Sequence, residues 1–110
     1  MLETLLKPED REERCGLLLT DGTTVELKNI AENPETSFEM DPQEVAPYLV
    51  KETVAGTWHT HPGADPALSG ADYECFAAWP ELDHYIIGIR EKDILVLKYV
   101  VDRGLVLVCD

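Results

Sequence analysis

WHTHPGADPALSGAD, residues 58–72, combines strand, loop and helix signals with polar groups of metal-ligand type. In a β-strand, side chains two residues apart project to the same face, so His59 and His61 lie roughly 6–7 Å apart at Cα. A Pro-Gly pair then ends the strand, and strand ends are where sites collect in open sheets. Ser69 and Asp72 have the spacing of a helix N-cap and its third residue. The stretch predicts a strand, a return loop and a helix.

The polar residues of this stretch fit a metal site, although a bland interpretation also accounts for each of them. Two imidazoles can converge on one cation, with zinc–nitrogen bonds near ~2.0–2.1 Å, and Asp72 could supply a third ligand if the loop folds back. Three protein ligands plus a water is the pattern of a catalytic zinc site. Ser69 could donate to a developing oxyanion. Alternatively, His59 and His61 are ordinary strand residues, and Ser69 and Asp72 only cap the helix.

Composition predicts one domain over residues 1–110 and excludes some classes of partner. The chain has 110 residues and 45% hydrophobic residues, enough for a core. The formal net charge is −13, which would repel nucleic acid and an anionic membrane surface. A basic protein partner or a divalent cation fits this charge better, and the charge also serves solubility.

Three cysteines at wide spacing indicate neither a disulfide framework nor a cysteine zinc site. Reduced thiols predict a cytoplasmic location. The first residues lack the pattern of a secretory signal, and no apolar run reaches transmembrane length. We expect Cys15 and Cys75 to be core residues, since free cysteine is usually buried. We expect His84, at a strand start, to be exposed or half-buried, and Trp58 to face the core opposite His59.

The rest of the chain alternates between strand and helix patterns. Two short helices are predicted outside the opening stretch: MLETLLK, closed by Pro8, and PQEVAPYLVK, with Asp41 as N-cap and Pro42 in the first position. A hairpin at Asp21-Gly22 joins CGLLLT to TTVELKNI. The other predicted strands are SFEM, TVAGTWHTH, HYIIGIR, DILVLKYVV and GLVLVCD. SGADYECFAAW completes the pattern as a helix. This order predicts a mixed α/β or α+β domain with a central sheet flanked by helices.

The motif His59-Thr-His61-Pro62, six residues, then Ser69-Gly-Ala-Asp72 resembles the H-x-H-P…S-x-x-D motif of the JAMM metalloprotease family, also called JAB or MPN type. EERCGLLL resembles the family's Glu-x-Cys-Gly-Leu-Leu strand, in which Glu13 takes the place of the catalytic glutamate. Together with NIAENPETSFEMDPQEV, the resemblance covers roughly residues 10–100. It implies a cytidine-deaminase-like JAB/MPN fold with a mixed, mostly antiparallel central sheet.

The resemblance also implies the site. One zinc ion per chain would be held by His59, His61 and Asp72, with a water in the fourth position. Glu13 would shuttle the water's proton to the leaving nitrogen, and Ser69 would stabilise the oxyanion. Neighbouring Glu12 would point to the opposite side of an extended segment.

The function implied is that of a zinc-dependent metallopeptidase or isopeptidase that hydrolyses an amide or isopeptide bond. The compact form resembles the JAB domain of phage tail-assembly proteins, and also short bacterial members that act on ubiquitin-like proteins. The expected substrate is therefore the C-terminal tail of a ubiquitin-like or tail-assembly protein, bound as an extended strand. The alternative is a non-catalytic binding module of the same fold in a macromolecular assembly.

Overall fold

The computed structural model describes residues 11–109 as one six-stranded sheet with two helices. The sheet order is β2-β1-β3-β4-β5-β6. The strands are β1 (Cys15–Leu19), β2 (Thr24–Leu27), β3 (Val54–Pro62), β4 (Asp83–Ile89), β5 (Ile94–Asp102) and β6 (Leu105–Cys109), and the helices are α1 (Pro42–Val50) and α2 (Gly70–Ala77). The predicted MLETLLK helix lies outside the described residues.

All neighbouring strands pair antiparallel except β3 and β4, which are parallel. Parallel neighbours need a long crossover, and α2 with its preceding loop supplies it. The prediction of a mixed, mostly antiparallel sheet flanked by helices is therefore confirmed. No helix in the range 11–109 is long and apolar enough to cross a membrane.

The crossover helix packs on the sheet face that carries the opening histidines. Phe76 of α2 is fully buried and clusters with Ile86, Tyr99 and Val106. Trp58 lies on the opposite face with Ile87 and Ile89, as its alternation with His59 predicted. The α2 helix is thus anchored by an aromatic side chain, which fixes the position of its N-terminus over the sheet.

The first helix begins as its sequence predicted. The Asp41 side chain accepts a hydrogen bond from the Gln43 N–H at 2.9 Å, and Pro42 occupies the first turn. In contrast, the strand predicted for SFEM is wrong, since only Met40 forms an isolated bridge, with Asn29. The Asn29 side chain accepts from the Glu39 N–H and donates to the Ser37 carbonyl, so these backbone groups bond to a side chain instead of a neighbouring strand.

The prediction for His84 is also wrong, because the residue is fully buried. Its ring stacks on Phe76 at a centroid distance of 4.3 Å. Its Nε2 lies 3.1 Å from the Trp79 carbonyl, which can only accept, so Nε2 carries the proton and Nδ1 accepts from the Thr57 hydroxyl at 2.7 Å. The partner of Nδ1, Thr57, is distant in sequence, and the partner of Nε2 is a backbone carbonyl, so a local side-chain pattern does not reveal the burial.

Candidate metal centre and catalytic cleft

The pairing of β1 with β3 brings Glu13 to the histidines. The pairing extends beyond β1 to Arg14, whose carbonyl accepts from the Thr60 N–H at 2.8 Å. In this antiparallel register Glu13 lies across from His61 on the same face of the sheet. Glu13 is buried, with 8% of its surface exposed, whereas the side chain of Glu12 is exposed to solvent. The alternation along the strand therefore selects Glu13 for the cleft.

Three side chains meet at one point above the end of β3. Nε2 of His59 lies 3.2 Å from Nε2 of His61 and 3.1 Å from Oδ1 of Asp72. Nε2 of His61 lies 3.2 Å from Oδ2 of Asp72. A tetrahedral zinc ion with bonds of ~2.0–2.1 Å has ligand atoms about 3.3 Å apart, so this donor set fits such an ion. Ligand atoms of Glu13 and both histidines also lie within 4.8 Å of one another.

The surroundings of each imidazole fix its orientation. The His61 Nδ1 lies 3.2 Å from the Asp65 carbonyl, which can only accept, so Nδ1 carries a proton and Nε2 is the nitrogen that can bind a cation once it is itself deprotonated. The His59 ring stacks on Phe38 at 4.2 Å and is fully buried. Its Nδ1 has no hydrogen-bond partner within the described residues. Stacking on Phe38, and not a hydrogen bond to Nδ1, therefore orients the His59 ring.

The N-terminus of α2 delivers Ser69 and Asp72 through a capping box. The Ser69 hydroxyl oxygen accepts from the Asp72 N–H at 3.1 Å, and the Ser69 N–H donates to Asp72 Oδ2 at 3.2 Å. Because the hydroxyl only accepts in this bond, its proton remains available to another acceptor in the cleft. The same cap thus stabilises the helix and aims the Asp72 carboxylate at both imidazoles.

Burial and neighbouring charges shift the pKa values of the two carboxylic acids in opposite directions. Desolvation raises the pKa of Glu13 to about 7, with His61 opposing and Asp72 adding to the rise. Burial also acts to raise the pKa of Asp72, but hydrogen bonds from His59 and His61 outweigh it and hold that pKa well below its usual range. One carboxyl group can therefore exchange a proton near neutral pH while the other stays ionised.

The two imidazoles differ in the same way. Burial lowers the pKa of His59 and dominates over the neighbouring Asp72 carboxylate. Burial acts in the same sense on His61, but the hydrogen bonds to Asp72 and to the Asp65 carbonyl raise its pKa overall. A neutral His59 is the form that can bind a cation.

A cleft of about 300 Å³ opens beside this cluster. Glu13, His61, Ser69 and Asp72 line one side, and residues 35–38 line the other. Cys75 also lines the cleft and is exposed, so its prediction as a core residue is wrong: it lies three residues beyond Asp72, on the side of α2 that faces the opening. The structure thus places four of the five predicted site residues on one opening, while His59 is buried behind them in contact with His61 and Asp72.

Two contributors were missed from the sequence, Phe38 and Asn29. Asn29 was predicted only as part of the strand TTVELKNI and Phe38 only as part of the strand SFEM, so neither was connected with the site. Cys15, in contrast, is fully buried as predicted, and desolvation raises the pKa of its thiol to about 12.

The family model described as prokaryotic homologs of the JAB domain matches residues 4–98. The chain belongs to the JAB family. Among curated proteins, the desampylase of Haloferax volcanii is 34% identical over 79 residues, which cover 62% of this chain and 56% of that protein. The JAB chain therefore spans little more than half the length of this relative.

Solved structures show the same JAB-type fold. The protein DSY2949 from Desulfitobacterium hafniense superposes with a TM-score of 0.72 at 25% identity, covering 91% of this chain and 77% of that one. A protein from Salinibacter ruber superposes with a TM-score of 0.58 at 18% identity, covering 93% and 77%. The second likeness concerns the fold alone.

Proposed function

We propose that this JAB-family chain is a zinc-dependent metallopeptidase or isopeptidase. It hydrolyses an amide or isopeptide bond at the flexible C-terminal tail of a ubiquitin-like protein. The observation that carries the proposal is the convergence of His59, His61 and Asp72 to within 3.1–3.2 Å of one another, with Glu13 beside them in an open cleft. The desampylase name of the Haloferax relative supports the same reaction class.

In this proposal His59 Nε2, His61 Nε2 and one Asp72 oxygen hold the zinc ion. When bound, zinc lowers the pKa of a water molecule and polarises the scissile carbonyl. The chain itself has to orient the ligands. The Asp65 carbonyl does this for His61, the Phe38 ring for His59, and the α2 capping box for Asp72.

Glu13 is the proposed general acid and base. Its carboxylate accepts a proton from the attacking water and then donates that proton to the leaving nitrogen. A pKa of about 7 suits both steps, because a group is most effective when its two protonation states are close in population at working pH. The Ser69 hydroxyl donates to the oxyanion that forms on the carbonyl oxygen when water attacks the carbonyl carbon, a role typically worth ~10²–10³ in kcat.

The shape of the cleft and the net charge of the chain support this substrate class. The cleft is open and bordered by the loop 35–38, so it accepts an extended tail and not a folded surface. The chain carries a net charge of −13, which favours partners with basic residues near the cleaved bond. A tail-assembly protein with a similar flexible tail is the second substrate to test.

The test measures metal content and cleavage together. Wild-type protein, purified without chelators, should contain one zinc per chain and should release a reporter fused to a ubiquitin-like C-terminal tail. Glu13→Gln should keep the zinc and lose cleavage, whereas His59→Ala should lose both. Glu12→Gln is the matched control, because this exposed neighbour points away from the cleft, and it should behave as wild type.

Two results would refute the enzymatic proposal. A wild-type protein that takes up no zinc or other divalent cation at saturating concentration would rule out the metal centre. A protein that binds zinc yet cleaves neither the ubiquitin-like nor the tail-assembly substrate would instead support a non-catalytic binding module with a structural ion.

A further inference from the structure

The side chain of Asn29 is a hydrogen-bond hub immediately after β2. Its Nδ2 donates to the carbonyls of Glu13 at 2.8 Å and Ser37 at 2.9 Å, with a longer contact of 3.5 Å to Pro34. Its Oδ1 accepts from the Ala31 and Glu39 N–H groups, both at 3.0 Å. The donors and acceptors are matched on both sides of the amide, so its orientation is set by the network.

Glu13 lies outside the regular strand, and its backbone depends on this loop. Its N–H donates to the Pro34 carbonyl at 2.6 Å, and its carbonyl accepts from Asn29. Both backbone groups of Glu13 are therefore bonded to residues 29–34, and not to a strand of the sheet. The loop thus adds a second restraint on the Glu13 backbone, beyond the pairing of the neighbouring Arg14 with β3.

We propose that Asn29 is a positioning residue for Glu13, and that its carboxamide fixes the acid/base against the metal ligands. The inference rests on the proposed function of Glu13. By closing residues 29–39 into one loop, the same amide also holds Phe38 against the His59 ring, at 4.2 Å between centroids. One side chain thus couples the acid/base to the packing of a ligand.

The carboxamide can be tested against its closest analogue. Asn29→Asp keeps an oxygen for the Ala31 and Glu39 N–H groups, so the loop closure can survive. It removes the Nδ2 donor and turns a carboxylate oxygen toward the Glu13 carbonyl. Asn29→Ala removes both the Nδ2 donor and the oxygen that closes the loop. Asn33→Ala is the matched control, since Asn33 is an exposed asparagine of the same loop.

Kinetics and zinc affinity should distinguish a role of Asn29 in positioning Glu13 from a general structural role. We expect Asn29→Asp and Asn29→Ala to lower kcat by about 10- to 100-fold, since displacements near 1 Å at a reacting group cost that much. In Asn29→Asp, which keeps the oxygen that closes the loop, KM and the zinc dissociation constant should stay within about twofold, because the cleft wall and the Phe38 ring keep their places. In a Glu13→Gln background, followed under single-turnover conditions, Asn29→Asp should cause no further loss.

Amide hydrogen exchange supplies a readout that needs no catalysis. In Asn29→Ala the Glu13 N–H should exchange at least about 10-fold faster than in Asn33→Ala, whereas the Thr60 N–H, which bonds to the Arg14 carbonyl, should be unchanged. If wild type binds zinc but cleaves nothing, the proposed function fails while this measurement still decides whether Asn29 holds Glu13.

Three outcomes would overturn the inference. The first is wild-type kcat in both Asn29 variants. The second is an equal loss of activity with and without the Glu13 carboxylate, which would mean a general structural defect. The third is unaltered exchange of the Glu13 N–H in Asn29→Ala.

Discussion

Replacing Glu13 with glutamine tests the electrostatics of the cleft in the metal-free protein. Desolvation raises the pKa of Glu13 from 4.5 to about 7. The folded state therefore binds this proton more tightly than the unfolded state does. The stability that Glu13 contributes is fully present below pH 4.5 and is lost as the pH rises through 7, because ionisation then favours the unfolded chain.

The magnitude follows from that difference in pKa. A rise of about 2.5 is worth about 3 kcal/mol in unfolding free energy, at roughly 1.4 kcal/mol per tenfold change in proton affinity. Of this, about 2.5 kcal/mol is lost between pH 5 and pH 8.5, an interval that spans the titration of Glu13 in the folded state. Glu13→Gln does not titrate, so its stability relative to wild type should improve by that amount over the same interval.

Urea unfolding followed by tryptophan fluorescence, with chelator present, measures the effect at both pH values. Comparing the variant with wild type at each pH cancels the other titrating groups, and Glu12→Gln gives the baseline for an exposed neighbour. If Glu13→Gln and wild type differ by the same free energy at pH 5 and at pH 8.5, Glu13 is not desolvated in the cleft, and the assignment of this carboxyl group as a near-neutral acid/base loses its physical basis.

Three further outcomes are expected. Ser69→Ala should lower stability by about 1 kcal/mol in thermal melts through loss of the helix cap, and lower kcat by roughly 10²-fold, while Ser69→Thr keeps both functions. Gly88→Ala should lower the free energy of unfolding, measured by urea titration, by about 1–3 kcal/mol, because a Cβ there would lie 2.6 Å from Pro66 Cδ. Gly70→Ala is the control, because a Cβ at that position meets open space. Chelation should lower Tm, and zinc at about 100 times its dissociation constant should restore ~2.7 kcal/mol.

The backbone geometry of the site was predictable because each step rests on a short-range rule. Alternation along a strand puts His59 and His61 on one face and allows only one of Glu12 and Glu13 to face them. The resemblance to the family's Glu-x-Cys-Gly motif selected Glu13. The N-cap signal at Ser69 locates the start of α2, and with it the third-position Asp72. Both rules depend only on residues within a few positions of each other in the sequence, so tertiary contacts do not alter what they predict.

The two wrong burial predictions, for His84 and Cys75, arise from tertiary contacts. His84 is buried because Thr57 and Trp79 satisfy its ring, and Cys75 is exposed because the cleft leaves that side of α2 uncovered. In both cases the environment comes from contacts that no local pattern encodes. The same holds for Asn29, whose five partners include residues 8 to 16 positions away.

The arrangement around His59 explains why the site needs a rigid frame. Burial holds this imidazole neutral, and the ring has one nitrogen facing the Asp72 carboxylate and the other without a partner among residues 11–109. A metal-binding histidine usually has an outer hydrogen bond that fixes its rotation. Here that restraint has to come from stacking, with Phe38 at 4.2 Å on one side and Phe76 at 5.9 Å on another. Because stacking fixes the plane of a ring more firmly than its rotation within that plane, the convergence with Asp72 depends on the loop that carries Phe38. In the proposed zinc site, stability of that loop would therefore be a condition for metal affinity as well as for the placement of Glu13.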